Sequence, residues 1–139
     1  MARILLLEDD LTQSLEIAEA LRDVGHDVRA CTTAGEARSE ILEQEYDLLI
    51  ADLIVREDGK PVPDGGLYVI GWVRRNAAVP EAVRTMPIVA ISGTVNNPGM
   101  AFALTTAEQV GATVSLPKPL NMRDLVHTVG GLTEALPPR

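Results

Sequence analysis

Apolar residues follow two spacing patterns along this chain. Short, almost continuously aliphatic runs alternate with longer segments whose apolar residues return every three or four positions. Continuous runs are typical of parallel strands buried on both faces, and the longer spacing is typical of amphipathic helices. The predicted strands cover residues 3–8, 26–32, 46–52, 86–94 and 113–119. The predicted helices cover residues 11–24, 33–44, 67–76, 100–112 and 121–136.

The same spacing predicts which side chains face inward. The second strand has Val28 and Ala30 on one face and is short of apolar residues, as an edge strand would be. Gly130 and Gly131 are expected to weaken or end the last helix, leaving residues 131–139 as a loose tail. The inward stripe of the first helix is predicted to contain Leu11, Leu15, Ala18 and Leu21.

The alternation of strands and helices predicts an α/β fold. Five strand–helix units favour a doubly wound parallel sheet with helices on both faces. A chain of 139 residues is expected to form a single domain, residues 1–139. In such sheets ligands bind at the carboxyl ends of the strands.

Polar residues follow the predicted strands at those ends. Glu8 and Asp9 end the first strand, Asp52 the third, Ser92 the fourth and Lys118 the fifth. The carboxyl ends of parallel strands meet at one edge of a sheet, so we expect these side chains to converge. Carboxylates without histidine or thiolate suit a hard cation, and Mg²⁺ fits best. A carboxylate can also act as a nucleophile toward a phosphoryl group. Lysine and serine can then stabilise the phosphoryl oxygens.

Four segments in order along the chain carry a family resemblance: "ILLLEDD", "YDLLIAD", "IVAISGT" and "LPKPL". Together they resemble the receiver domain of two-component response regulators over essentially the whole chain. The resemblance implies a flavodoxin-like sheet with strand order 2-1-3-4-5. It implies a protein that catalyses only its own phosphoryl transfer and dephosphorylation. Because the sequence stops after the fifth predicted helix, we expect a stand-alone receiver without an output domain.

The resemblance also implies roles for individual residues. Asp52 would accept a phosphoryl group from a histidine kinase or a histidine phosphotransfer protein. Mg²⁺ or Mn²⁺ would be held by Asp9, Asp52 and the backbone carbonyl of Ile54, with Glu8 acting directly or through water. The phosphoryl oxygens would be bound by Ser92, Gly93 and Lys118. Asp10 is interpreted instead as the start of the first helix, where an acid is favourable.

Three features depart from the family pattern. The loop at residues 53–66 is long; it gates access to the site, contacts a partner or is a tolerated insertion. Ser115 stands where the family often has an aromatic residue, so the switch is expected to work through the loop at residues 93–99 instead. Ile54 stands where polar residues are common, and this predicts a drier site and slow loss of phosphate.

Net charge and composition limit the classes of binding partner that are expected. The net charge is −8, from 12 basic and 20 acidic residues, and no basic cluster is present. This argues against nucleic acid and against an anionic membrane surface. Cys31 is the single cysteine, and no signal peptide or membrane-spanning run is evident, so a cytoplasmic protein is expected. The resemblance implies a downstream protein target on the helix 4–strand 5–helix 5 face, which would include Met100, Phe102 and Leu104, and core packing explains part of that set equally well.

Three other functions fit the pattern less well. An aspartate-based phosphatase would place a second Asp where Ile54 stands. In a flavodoxin-like electron carrier, the acids after the first strand would repel the flavin phosphate. A receiver-shaped scaffold that is never phosphorylated would not need the intact set of acids, hydroxyl and lysine.

Overall fold

Five parallel strands form the central sheet of the computed structural model. The structure describes residues 1–54, 65–92 and 105–134, and only the backbone of residues 56–57 and 60–61. The sheet order is β2-β1-β3-β4-β5, which confirms the predicted fold and strand order. The strands are β1 (Arg3–Leu7), β2 (Asp27–Cys31), β3 (Leu48–Asp52), β4 (Ile88–Ser92) and β5 (Val114–Pro117).

Helices cover both faces of this sheet. They are α1 (Leu11–Asp23), α2 (Ala34–Glu43), α3 (Gly66–Arg75), α4 (105–110 within the described residues) and α5 (Met122–Thr133). A four-residue helix, Glu81–Arg84, precedes β4, and a small antiparallel ribbon pairs Arg56–Glu57 with Lys60–Pro61. The sequence pattern predicted neither of these two elements. Within the described ranges, every helix is too short or too polar to cross a bilayer.

The continuous apolar runs are explained by burial of the central strands on both sides. Successive strand residues point to opposite faces, so each face needs its own apolar set. One face packs against α2 and α3 through Leu5, Leu7, Leu49 and Ala51. The other packs against α1 and α5 through Ile4, Leu6, Leu48 and Ile50. Each fully buried aliphatic side chain stabilises the fold by roughly 1.5–3 kcal/mol.

The prediction that Leu11 and Leu15 lie on the inward face of α1 is wrong. Leu11 is 72% exposed and Leu15 is 56% exposed. The residues that α1 buries are Ser14, Ile17, Ala18 and Leu21. The centre of that face lies about a quarter turn away from Leu11 and Leu15. The spacing correctly indicated a helix, but it did not fix the rotation of that helix against the sheet.

The predicted edge position of β2 is confirmed, and of its two residues on the same face Val28 is buried and Ala30 is exposed. One smaller expectation needs correction. Gly130 and Gly131 do not end α5, which continues to Thr133. The hydroxyl of Thr133 donates to the carbonyl of Val129 at 2.8 Å, within that last turn. Residues 131–133 are therefore helical, and the predicted tail from 135 onward lies outside the described residues.

Candidate functional site

Three carboxylates meet at the carboxyl-terminal edge of the sheet. Oxygen atoms of Glu8, Asp9 and Asp52 all lie within 4.8 Å of one another. Glu8 is fully buried, Asp52 is only 4% exposed and Asp9 is half-buried. Burying an unpaired charge is costly, so a fold that keeps three carboxylates together must supply cations or protons that neutralise them.

The backbone fixes this convergence. The amide of Glu8 donates to the carbonyl of Cys31 at 3.1 Å, extending the pairing of β1 with β2 by one residue. Asp52 is the last residue of β3 and pairs with Ile91 of β4. The acids therefore come from the ends of two adjacent strands, β1 and β3.

Gly66 lets α3 begin directly against the site. A Cβ atom at Gly66 would collide with the backbone carbonyl of Asp52 and would lie 3.1 Å from the Cα of Leu53. No side chain fits into that space. Glycine is needed here for close approach of α3 to β3, a requirement that became visible only from the packing.

Lys118 lies between the two most buried acids. Its Nζ is 2.7 Å from Oε1 of Glu8 and 2.9 Å from Oδ2 of Asp52. Its backbone amide donates to the carbonyl of Ser92 at 2.7 Å, which fixes the end of β5 beside β4. The Lys118 side chain is 18% exposed, so the cation is partly shielded from water. The sequence pattern predicted this lysine at the site but did not predict its ion pair with Glu8.

Burial dominates the electrostatics of the site. The pKa of Glu8 is raised to about 8, first by burial and then by the hydrogen bond and negative charge of Asp52, which together outweigh the lowering by Lys118. For Lys118, burial acts to lower the pKa. Its hydrogen bond to Glu8 and its interactions with Asp52 outweigh that effect and raise the pKa above the ordinary value.

A divalent cation fits the charge imbalance. Three carboxylates face a single ammonium group among the described residues of the site. Hard oxygen donors in this number suit Mg²⁺, which commonly binds through one or two carboxylates and retains water. Glu8, Asp9 and Asp52 are thus the residues whose chemistry matches a bound metal ion.

Asp52 is held through both of its carboxylate oxygens. The amide of Ile54 donates to Oδ1 at 3.1 Å, and Lys118 approaches Oδ2. This arrangement fixes the plane of the Asp52 carboxylate and turns Oδ2 toward the ammonium group of Lys118. Whether the carbonyl of Ile54 is a metal ligand remains a prediction.

Asp10 has a different role from its acidic neighbours. Its side chain accepts a hydrogen bond from the amide of Gln13 at 3.1 Å and caps α1, as predicted. Asp10 is exposed, whereas Glu8 is fully buried. Three consecutive acids are therefore divided between a helix cap and the buried cluster.

The remaining predicted residues fall into two groups. Ser92 is buried at the end of β4, next to Lys118 through the backbone hydrogen bond already described. Gly93 and the loop at residues 93–99 lie outside the described residues, and the loop at residues 53–66 is described in full only at residues 53–54 and 65–66. Met100, Phe102 and Leu104 lie outside them as well.

Ser115 makes a contact that the sequence pattern did not predict. Its hydroxyl donates to Oε2 of Glu108 at 2.8 Å, joining β5 to α4. Ser115 lies three positions before Lys118, on the strand that carries the lysine to the site.

Solved structures of receiver domains share this fold. A two-component response regulator from Clostridium difficile gives a TM-score of 0.78 at 22% identity, over 99% of this chain and 100% of that chain. The receiver domain of NtrX from Brucella abortus gives 0.77 at 23% identity, over 95% of this chain and 98% of that chain. The Francisella response regulator 1452 receiver domain gives 0.78 at 17% identity, over 96% of this chain and 98% of that chain.

These similarities establish the fold of the chain. This chain covers 27% of a longer NtrX structure from Brucella abortus. No protein-family model and no curated protein sequence matches it. The resemblance predicted from the four motifs is confirmed at the level of architecture: the chain has the fold of response-regulator receiver domains.

Proposed function

We propose that this protein is a phosphoacceptor signalling module of a two-component or phosphorelay system. Asp52 would take a phosphoryl group from a histidine kinase or a histidine phosphotransfer protein. The observation that carries the proposal is the placement of Asp52, which is buried, held by Lys118 at 2.9 Å and clustered with Glu8 and Asp9. A carboxylate can act as the nucleophile toward phosphorus, and a cation beside it offsets the charge of the phosphoryl group.

The proposed reaction uses the carboxylate of Asp52 as nucleophile. One of its oxygens attacks the phosphorus atom of a donor phosphohistidine, an O–P bond forms and the N–P bond breaks. The departing imidazole regains a proton from water. Because Ile54 holds Oδ1 and Lys118 faces Oδ2, the Lys118 ammonium group lies where it would offset negative charge on the transferred group.

A divalent metal ion is part of the proposal. Asp9 and Asp52 would hold Mg²⁺ or Mn²⁺ together with the carbonyl of Ile54, and Glu8 would contribute directly or through water. When bound, the ion would offset the repulsion among the carboxylates and the charge of the phosphoryl group. The chemistry of the donor set and the 4.8 Å spread of its oxygens support this assignment.

Ser92 and Gly93 complete the proposed phosphoryl site. The Ser92 hydroxyl and the Gly93 amide would donate to phosphoryl oxygens opposite Lys118. The burial of Ser92 beside the Lys118 backbone supports its part in this assignment. Gly93 is proposed from the resemblance alone.

The output is proposed to be contact with another protein. The face formed by α4, β5 and α5 is the surface that the receiver resemblance implies. The net charge of −8 agrees with a protein partner better than with nucleic acid.

The decisive experiment is phosphorylation by a small donor. The protein is incubated with Mg²⁺ and acetyl phosphate, and intact mass is measured for the wild type, Asp52→Asn and Asp23→Asn. Asp23, at the exposed end of α1, is the matched control. We expect an added phosphoryl group on the wild type and on Asp23→Asn, none on Asp52→Asn, and none when the metal is chelated.

A different outcome would identify the alternative function. If the wild type gains no phosphoryl group from acetyl phosphate or from candidate histidine kinases, the phosphoacceptor proposal is wrong. The protein would then be a phosphorylation-independent scaffold with the receiver fold. An adduct of equal size on Asp52→Asn would show that another residue is the acceptor.

A further inference from the structure

A groove of about 500 Å³ opens between α3 and the end of α4. The first helix contributes Leu67, Tyr68 and Trp72 to its walls, and the second contributes Val110. Gly71 also lines the groove, and a Cβ atom there would lie 3.2 Å from the Cγ1 of Val110, so a side chain at this position would narrow it. Among the described residues, those that line the groove include no acid of the carboxylate cluster and no residue of β5 or α5.

The groove holds half of the aromatic side chains of the protein. The sequence contains one Trp, two Tyr and one Phe, and Tyr68 and Trp72 lie one turn apart on α3. Tyr68 is 49% exposed, and Trp72 and Val110 are only partly buried beside the core. Tyr and Trp are enriched where proteins bind one another, because each buries a large apolar area at a small cost in conformational entropy. In a chain with 3% aromatic residues, this concentration favours a binding surface over ordinary packing.

The groove is basic although the protein as a whole is acidic. Residues 65–80 contain two arginines and no Asp or Glu, whereas the net charge of the chain is −8. Arg75 is exposed, its Nη1 lies 3.2 Å from where a Cβ atom at Gly71 would be, and none of the described residues forms a salt bridge with it. The guanidinium carbon of Arg38 lies over the ring of Tyr68, 5.1 Å from its centroid. The apolar walls are therefore accompanied by two cations, one at Tyr68 and one at Gly71.

We propose that this groove binds an acidic amphipathic helix of a partner protein. A groove between two helices accepts a third helix that inserts apolar side chains spaced one turn apart. Tyr68 and Arg75 are two turns apart, roughly 10 Å along α3, so carboxylates on both sides of the inserted side chains would reach Arg38 and Arg75. The same two cations would repel a basic helix, which makes the surface selective. This surface is additional to the α4–β5–α5 face and requires no phosphoryl group.

The single tryptophan of the chain reports directly on the groove. The emission of Trp72 is recorded while the protein is titrated with a synthetic helical peptide in which two leucines, four positions apart, are flanked by glutamates. We expect saturable binding and a shift of the emission to shorter wavelength, because the indole loses contact with water. A peptide with lysines in place of the glutamates, and one with alanines in place of the leucines, should each bind about tenfold more weakly or not at all. Equal binding of the lysine peptide, or no binding of the acidic one, would overturn the proposal.

Substitutions in the groove assign the binding to it. Arg75→Glu and Tyr68→Ala should each weaken binding of the acidic peptide by about tenfold. Arg75→Glu should also bind the lysine peptide more tightly than the wild type does, a gain that a misfolded variant would not show. Arg123→Glu makes the same change of charge at an exposed position of α5 and should leave both affinities unchanged. An equal loss in Arg123→Glu would show that the peptide responds only to overall charge, and the proposal would be wrong.

Another occupant of the groove would be detected in the same measurements. If the emission of Trp72 changes with protein concentration alone, and sedimentation shows a dimer that Tyr68→Ala abolishes, a second copy of the chain occupies the groove and the proposed partner is wrong. Unchanged affinity of both groove variants for the acidic peptide would place the binding elsewhere. Neither a metal ion nor a phosphoryl donor enters these titrations, so they can fail while the phosphoacceptor proposal holds, and the reverse is equally possible.

Discussion

Two ion-pair clusters of this protein contain the same kinds of charged group but differ in burial and in charge balance. The surface cluster beside β2 contains Arg3, Asp27, Arg29 and Glu40. Its pairs join Arg29 to Glu40 at 2.9 Å and Arg3 to Asp27 at 3.8 Å, and the Arg29 side chain is 66% exposed. The buried cluster at the carboxyl-terminal edge of the sheet contains Glu8, Asp9, Asp52 and Lys118.

Burial and balance distinguish the two clusters. The surface cluster has two cations for two carboxylates, and water screens both pairs, so each contributes little to stability. The buried cluster has one cation for three carboxylates, two of which are almost inaccessible to water. A fold has no stability reason to keep such an imbalance, since replacing buried ion pairs by apolar residues is often neutral or stabilising. The crowding of three carboxyl groups around one ammonium group, which the raised pKa of Glu8 reflects, is therefore the feature that suits a bound cation.

The largest expected effect is a loss of phosphorylation when an acid of the buried cluster is neutralised, compared with the neutralised helix cap next to it. Asp9→Asn should abolish Mg²⁺-dependent phosphorylation, because it removes a proposed metal ligand. Asp10→Asn should retain most of it, since asparagine caps a helix about as well as aspartate. Intact mass after incubation with acetyl phosphate measures both. Equal losses in the two variants would contradict the division of roles between neighbouring acids.

A backbone substitution tests how tightly the buried cluster is enclosed. Gly66→Ala should lower the free energy of unfolding by about 3 kcal/mol or more, because its Cβ would collide with the carbonyl of Asp52. Gly130→Ala is the matched control in α5, where no atom lies within 4 Å of the added Cβ. It should stabilise by up to about 1 kcal/mol. Urea denaturation measures both changes, and a similar stability of the two variants would mean that α3 can withdraw freely from the site.

Removing one cation from each cluster compares them directly. Lys118→Met should cost about 2–3 kcal/mol of unfolding free energy, because Glu8 and Asp52 lose their shared partner in a buried place. Arg29→Met should cost less than about 1 kcal/mol, because the Arg29 side chain is 66% exposed and Glu40 keeps a hydrogen bond from the hydroxyl of Tyr46. Denaturation at neutral pH without metal is the measurement. Equal costs would show that burial does not distinguish the clusters.

The smallest expected effect is a pH dependence at the start of the sheet. The amide of Ala2 donates to Nδ1 of His26 at 3.1 Å, and burial, helped by the charge of the amino terminus, lowers the histidine pKa below its usual 6.5. As pH falls through 6.5, the unfolded chain therefore binds a proton before the folded protein does, and stability falls. His26→Asn retains an acceptor that does not titrate. The difference in unfolding free energy between wild type and His26→Asn should be constant above pH 7 and shrink in acid, and a constant difference down to pH 5 would contradict this assignment.

The sequence predicted well wherever a regularity is local in the chain. Continuous apolar runs correctly indicated strands buried on both faces, as for Leu48–Asp52. The interpretation of Asp10 as the start of the first helix is confirmed, since its side chain caps α1. The rotation of α1 was mispredicted at Leu11 and Leu15, because the spacing of apolar residues defines a stripe but not which part of it meets the sheet.

At the site too, local features of the sequence were predictable and contacts between distant residues were not. The residue types at the strand ends were sufficient to predict that Glu8, Asp9 and Asp52 converge with Lys118. The hydrogen bond between Ser115 and Glu108 could not be predicted, since nothing in either residue's local pattern indicates the other. The need for glycine at Gly66 also had no local signal, because it arises from the approach of α3 to β3.

The sequence alone determined the order of strands and helices and the set of polar groups brought to one edge of the sheet, because periodicity and strand ends are properties of neighbouring residues. Only the tertiary structure decided that Lys118 joins Glu8 and Asp52, which are 110 and 66 positions away in the chain. It also decided that Glu8 is fully buried while Asp10 remains in water. The interaction between two charges depends on their separation and on the water between them, and both are set by packing.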